Sequence, residues 1–261
     1  MAFTIFFFRD SQTLELAIDE ALPSLRGRAF IHVWDAGCAH GPEPYTLAIL
    51  LRERMSDYIF RNVHIHATDV DSSFAAQVTS GVFAEQEVKR VPPQILQKYL
   101  RPASRPELRK GTVPFSPNEN RDSPPAFVEV VPELRAKVTF SQHDLLSLRP
   151  VREGLSLIVC KNVLLHLEES QRIEVLQMFH QALQPVGILV MEHTQKLPDT
   201  LGPFFQQVAP YAQVFRRVEP AFVEHQAEQG VLHRHGARRG SVPGDGSHLH
   251  LDQACGDSVK P

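Results

Sequence analysis

The chain predicts an α/β fold, a doubly wound and mostly parallel sheet with ligands bound outside the carboxyl ends of its strands. Three observations carry this. Strand-like and helix-like apolar patterns alternate from residue 30 to residue 218. The run Leu155 to Cys160 (LSLIVC) is apolar almost without interruption, as in a parallel strand covered on both faces. And Phe30 to Leu51 (FIHVWDAGCAHGPEPYTLAILL) joins a β-branched and aromatic run to glycines and then to a helical pattern, the mark of a strand, bend and helix.

The elements follow in order. Thr4 to Arg9 (TIFFFR) reads as a short extended segment, and Thr13 to Leu25 as a helix with Leu14, Ala17, Ile18 and Leu22 on one face. After the Phe30 strand, Leu47, Leu50 and Leu51 mark the buried face of a second helix. Asn62 to Thr68 (NVHIHAT) is a strand, and Ser72 to Ser80 a short helix closed by Gly81. Pro92 to Leu100 is a further short helix. Residues 101 to 126 carry six prolines, at 102, 106, 114, 117, 124 and 125, and no period, which predicts a long loop. Phe127 to Val131 reads as a small strand. The sheet resumes at Lys137 to Ser141, followed by Asp144, and then at Leu155 to Cys160. Glu168 to Leu183 is an amphipathic helix with Ile173, Leu176, Phe179 and Leu183 inward and acids at its positive end. Val186 to His193 and Gln213 to Val218 are the last strands. From about Glu224 the composition turns to Gly, His, Arg, Ser and Pro, which predicts a disordered tail over 222–261.

Composition bounds the function. At 261 residues the chain can bury a proper core. A net charge of −3, with basic residues scattered, gives no electrostatic case for nucleic acid or an anionic membrane as partner. The three cysteines, Cys38, Cys160 and Cys255, are unpaired in pattern, which fits a reducing cytoplasm and neither a disulfide framework nor a zinc site. His233, His235, His248 and His250 in the tail lack acids or thiols at ligand spacing, so no metal is expected. No apolar run reaches the ~18 residues of a membrane span, and the opening MAFTIFFFRD has neither a basic leader nor a cleavage site.

The bend after the first strand points to a ligand. Asp35, Gly37 and Gly41 stand as D-x-G-x-x-x-G, so the backbone can turn sharply and approach a bound molecule with no Cβ in the way. Pro42 and Pro44 follow in the first helical turn, where a missing amide hydrogen costs little. Ala39 stands where a dinucleotide motif has its middle glycine. Asp69, directly after the next strand, supplies the carboxylate that ribose hydroxyls require. Together these predict an adenosine ligand on a Rossmann-like sheet. Arg9, set after three phenylalanines, is an arginine that aromatic anchors could hold toward a carboxylate.

Four separated stretches then resemble one family, the CheR-type S-adenosylmethionine-dependent methyltransferases of bacterial chemotaxis receptors, across roughly residues 3 to 219. TIFFFRD is similar to that family's T-x-F-F-R-D/E. AGCAHGPEPYTLAI resembles A-G-C-S-T-G-E-E-P-Y-S-L/I-A-I, and ATDVDSSFAAQVTSGVF resembles its A-T-D-I-D…A…G-x-Y. LIVCKNVLLHL, a helix and PVGILVMEHTQ resemble D-x-I-x-C-R-N-V-L/M-I-Y-F…P-x-G-x-L-x-x-G-H-S-E.

The resemblance implies a class I methyltransferase domain over residues 1–221, with a small subdomain inserted at about 83–131. It implies S-adenosylmethionine as cofactor, S-adenosylhomocysteine as product, and a glutamate side chain of a chemoreceptor-like protein as methyl acceptor. It also implies that the family's N-terminal helical domain is missing from this chain. Carried over by position, Asp69 meets the ribose, Glu43 the amino end of the methionine moiety, Gly37 and Gly41 make room, and Asp144 sits by the adenine. Asn162 lies near the methyl donor, and Arg9 near the cofactor and the target carboxylate. His166 stands where the family has tyrosine and could still offer a hydrogen bond. Pro42, Lys161, Glu192 and Gln195 also depart from the pattern. These departures leave two alternatives, a non-catalytic S-adenosylmethionine-binding sensor or scaffold, and a methyltransferase with a different carboxylate acceptor.

Overall fold

A computed structural model describes residues 6–103 and 127–219. Most of the Pro-rich loop and the whole of the 222–261 tail, with its histidines, lie outside the described residues. The main-sheet strands are β1 (Ile31–Ala36) and β2 (Val63–Asp69). β3 (Val82–Ala84), β4 (Leu100–Pro102) and β5 (Phe127–Val130) form a second sheet. The main sheet continues with β6 (Val138–Gln142), β7 (Leu155–Cys160), β8 (Leu183–Met191), β9 (Phe205–Gln207) and β10 (Val214–Arg217). The helices are α1 (Ser11–Leu25), α2 (Pro42–Arg54), α3 (Asp57–Phe60), α4 (Ala75–Ser80), α5 (Pro93–Tyr99), α6 (Pro132–Arg135) and α7 (Glu169–Ala182).

The seven-stranded sheet runs β6-β2-β1-β7-β8-β10-β9. Its first five members are parallel, and β10 lies antiparallel to both β8 and β9. The strand order reverses between β1 and β7, so their carboxyl ends open the crevice where such sheets bind ligands. The register holds these ends level, with Asp35 opposite both Ala67 and Val159. Successive side chains of each strand point to opposite faces, and the core divides accordingly. Val33, Ile65 and Val159 pack with α1 and α2 on one face; Trp34, Ile158 and Leu189 pack with α7 on the other.

Three expectations need correction. Phe7 to Asp10 form a turn rather than an extended segment, with Phe8 and Asp10 at φ 57° and 54°; residues 1–5 are outside the described residues. This turn is pinned by Phe7, which is fully buried and meets Phe83 edge-on at 4.9 Å, and by the Phe7 amide donating to the Glu87 carbonyl. Second, α2 is buried on every side from Tyr45 to Leu51, not along one face. Third, β3, β4 and β9 were not expected. Each has three residues, too few to show a period, and each exists through its pairing: β3 and β4 flank β5 antiparallel, and β9 closes on β10.

Candidate functional site

The carboxyl ends of β1, β2 and β7 and the amino end of α2 surround a cavity of about 560 Å³. The bend after β1 forms one wall. Gly37, Ala39 and Gly41 take positive φ of 101°, 47° and 108°, and the amides of Gly37 and Cys38 both donate to the Thr68 carbonyl at 2.8 and 2.9 Å. Gly37 is required by its surroundings as well as its φ, since a Cβ there would stand 2.1 Å from Cγ2 of Val163. Asp69 closes this wall: Oδ2 accepts from the Ala39 amide at 2.9 Å, and Oδ1 from the Asp71 amide at 3.1 Å. Each oxygen keeps a further lone pair for a hydroxyl in the cavity.

Glu43 lies in the first turn of α2, where the helix dipole favours an acid. It faces Lys161, 3% exposed at the end of β7, with Nζ 3.1 Å from Glu43 Oε2 and 3.5 Å from Asp10 Oδ2. Burial works against the Lys161 ammonium, but Glu43, Asp10 and Glu192 outweigh it and raise its pKa. Lys161 therefore ties the turn that carries Arg9 to the helix that carries Glu43. Behind them Asp35 is completely buried. Burial first, then the Glu43 carboxylate, push Asp35 well above the usual carboxylate range, with Lys161 opposing. Burial likewise pushes the thiols of Cys38 and Cys160 up, which argues against either as a nucleophile.

Of the residues singled out in the sequence, Arg9, Gly37, Glu43, Asp69, Asp144, Asn162 and His166 all line this one cavity. Gly41 does not: it caps α2, and a Cβ there would meet Val78 Cγ2 at 3.1 Å. Asp144 turns the chain after β6, its Oδ1 accepting from the Leu146 amide at 2.9 Å. Asn162 sits at φ 61°, a left-handed position that asparagine tolerates. His166 is exposed on the rim. Val70, Leu146 and Leu165, all more than 40% exposed, add an apolar lip.

Two functional neighbours were not anticipated, Asp35 as a buried acid and Lys161 as the partner of Glu43. The signal was present in both cases. An acid inside IHVWDA and a lysine directly after LSLIVC are charges set in apolar runs, and buried charges need partners.

The acceptor set suits an adenosine-type ligand with a cationic end. Asp69 offers acceptors for a diol, Glu43 an acid for an amine, and the apolar lip a surface for a flat base. Comparisons with known proteins agree. The family model described as CheR methyltransferase, SAM binding domain, matches residues 4–211. "Chemotaxis protein methyltransferase 2" of Vibrio cholerae is 24% identical over 197 residues, covering 74% of this chain and 62% of that protein. "Chemotaxis protein methyltransferase" of Borreliella burgdorferi is 26% identical over 200 residues, 74% of this chain and 64% of that one. The Escherichia coli protein of the same name is 28% identical over 190 residues, 72% and 59%. The chain thus spans about three-fifths of the length of these relatives. S-adenosylmethionine is the cofactor of this domain, and the match over most of its length makes the chain a member of the CheR methyltransferase family.

Proposed function

We propose that this chain methylates the side-chain carboxylate of glutamate in a chemoreceptor-like protein, in the cytoplasm, and forms a methyl ester. S-adenosylmethionine supplies an electrophilic methyl on a sulfonium and is left as S-adenosylhomocysteine. A glutamate carboxylate is already ionised near neutral pH, so the chain needs no general base. Its work is positioning and the exclusion of water.

Asp69 grips the ribose diol, and Glu43, held by Lys161, receives the amino group. Asp144 and Leu145 border the adenine. Arg9 orients the incoming carboxylate, Asn162 lies by the reacting methyl, and His166 stands at the acceptor's entrance. One observation carries this reading. Arg9 lines the same cavity as Glu43 and Asp69, yet it pairs with no carboxylate among the described residues. The neighbouring cation, Lys161, is occupied by the chain's own acids, which leaves Arg9 for the acceptor.

Incubation with methyl-labelled S-adenosylmethionine and receptor fragments from the source organism is expected to give base-labile label on glutamate. Cofactor binding without label on any fragment would overturn the glutamate reading. Label on another carboxylate would then identify a different acceptor, and no label on any acceptor would favour the binding module.

A further inference from the structure

Asp35 plays no part in the reading above, yet it lies at the centre of the charges beneath the cavity. Its side chain is fully buried at the carboxyl end of β1. Neither of its oxygens meets a hydrogen-bond donor among the described residues. In the sheet Asp35 stands opposite Ala67 and Val159, two residues before Asp69 and Lys161 on the same face. Glu43, at the amino end of α2, lies 3.1 Å from Lys161 and close enough to Asp35 for their carboxyls to hydrogen-bond. The same Lys161 ammonium is already shared by Glu43 and Asp10. Were Asp35 and Glu43 both ionised, two adjoining acids, one fully buried and the other 16% exposed, would face an ammonium that the more exposed Asp10 also engages. Two adjoining carboxylates in such a place share a proton rather than both ionise.

The proton has few places to reside. Cys38 and Cys160, the two thiols that feel Asp35, are held neutral by burial and have no proton to give near neutral pH. Glu43 faces the cavity and Lys161, whereas Asp35 has no access to water at all. Asp35 is therefore the member of the pair that keeps the proton.

We propose that Asp35 is a positioning residue of the cofactor site: a neutral carboxyl that donates its proton to Glu43, turns that carboxylate toward the cavity, and loses the proton when a cationic amino group docks there. This rests on the reading of Glu43 as the partner of the cofactor's amino group. In the step, the O–H bond of Asp35 breaks and its electron pair stays on the Asp35 carboxylate, while the proton moves to the Glu43 oxygen it faces and leaves Glu43 through the cavity for buffer. The incoming ammonium replaces the lost positive charge, so the cluster keeps its balance.

Calorimetry of S-adenosylhomocysteine binding to the full chain, in two buffers of different ionisation enthalpy at neutral pH, reads this proton directly. Wild type is expected to release a large part of one proton, and its affinity to rise with pH by up to about tenfold per unit where the release is complete. Asp35→Asn still donates a hydrogen bond to Glu43 but cannot ionise; it is expected to bind with no proton release and a flat pH profile. Asp35→Ala, which also loses the orienting bond, is expected to bind more weakly than Asp35→Asn. Binding by wild type without proton release, on a pH profile like that of Asp35→Asn, sinks the inference and leaves the cofactor reading standing. No binding by wild type overturns both. An absence of release in the wild-type buffer pair overturns the inference even if neither variant folds, and release from Asp35→Asn equal to that of wild type overturns it as well.

Discussion

The cavity has two walls, and they are built differently. On the side of β1 and β2, the amides of Gly37, Cys38, Ala39 and Asp71 all donate to Thr68 or Asp69, so the bend and the acid hold one another. On the opposite side Arg9, Asn162 and His166 reach the cavity with side chains that make no hydrogen bond among the described residues, and the last two are exposed. A ligand that never changes profits from a site set in advance. In the proposed function the other wall receives the acceptor, and a protein surface that meets a partner is better left open and variable. Departures from the family pattern occur on both sides, at Ala39, His40 and Pro42 in the bend and its helix start and at Lys161, His166, Glu192 and Gln195 elsewhere. The bend's bonds, however, are made by backbone amides that a change of side chain leaves in place.

The sharpest test of this contrast is Gly37→Ala. A positive φ and a Cβ 2.1 Å from Val163 together are expected to cost about 2–5 kcal/mol of stability. Gly154→Ala, also at positive φ but with nothing within 4 Å, should cost only about 1–2 kcal/mol. Denaturant unfolding of the pair measures the difference, and equal losses would mean that the bend is not held as described. Next, Asp69→Ala should weaken S-adenosylhomocysteine binding by roughly 1–3 kcal/mol in a titration, the scale of a lost charged partner. An unchanged affinity would misplace the ribose.

Arg9→Ala probes the open wall. Methyl transfer should fall roughly 10- to 100-fold while cofactor affinity stays within about twofold, because the lost contact is to the acceptor alone. A parallel loss of affinity would merge the two walls into one.

Titrations against pH must be separated from the fold's own response. His32 lies away from the cavity, beside Arg152 and the rings of His64 and His66. Burial, then Arg152, lower its pKa from 6.5 to about 4. The unfolded chain therefore takes up its proton first, and stability present above 6.5 is lost as the pH falls toward about 4. In His32→Gln the melting temperature should fall less over that window. The smallest effect is expected for His166→Ala, an exposed rim position, whose stability should stay within about 0.5 kcal/mol of wild type in the same melts.

Much of this was legible because long-range architecture writes itself in period and punctuation. LSLIVC announced a strand covered on both faces, and D-x-G followed by two prolines announced a bend before a helix. What escaped has no local signature. β3, β4 and β9 are stabilised by partners distant in sequence. The turn at Phe7 to Asp10 depends on Phe7 finding Phe83 and on the Phe8 amide finding Thr46. Gly41 shares a motif with Gly37 but faces Val78 instead of the cavity, a distinction that spacing alone does not encode. The family resemblance, rather than periodicity, drew Arg9, Asn162 and His166 together.

The sheathing of α2 has a practical meaning for anyone who wishes to redirect this protein. Because that helix is hemmed in from Tyr45 to Leu51, its first turn cannot be retuned without disturbing the interior. New acceptors are better sought by altering Arg9, Leu165 and His166, which border the cavity from its looser side. Evolution and the engineer face the same division of labour: one region to leave alone, another free to drift.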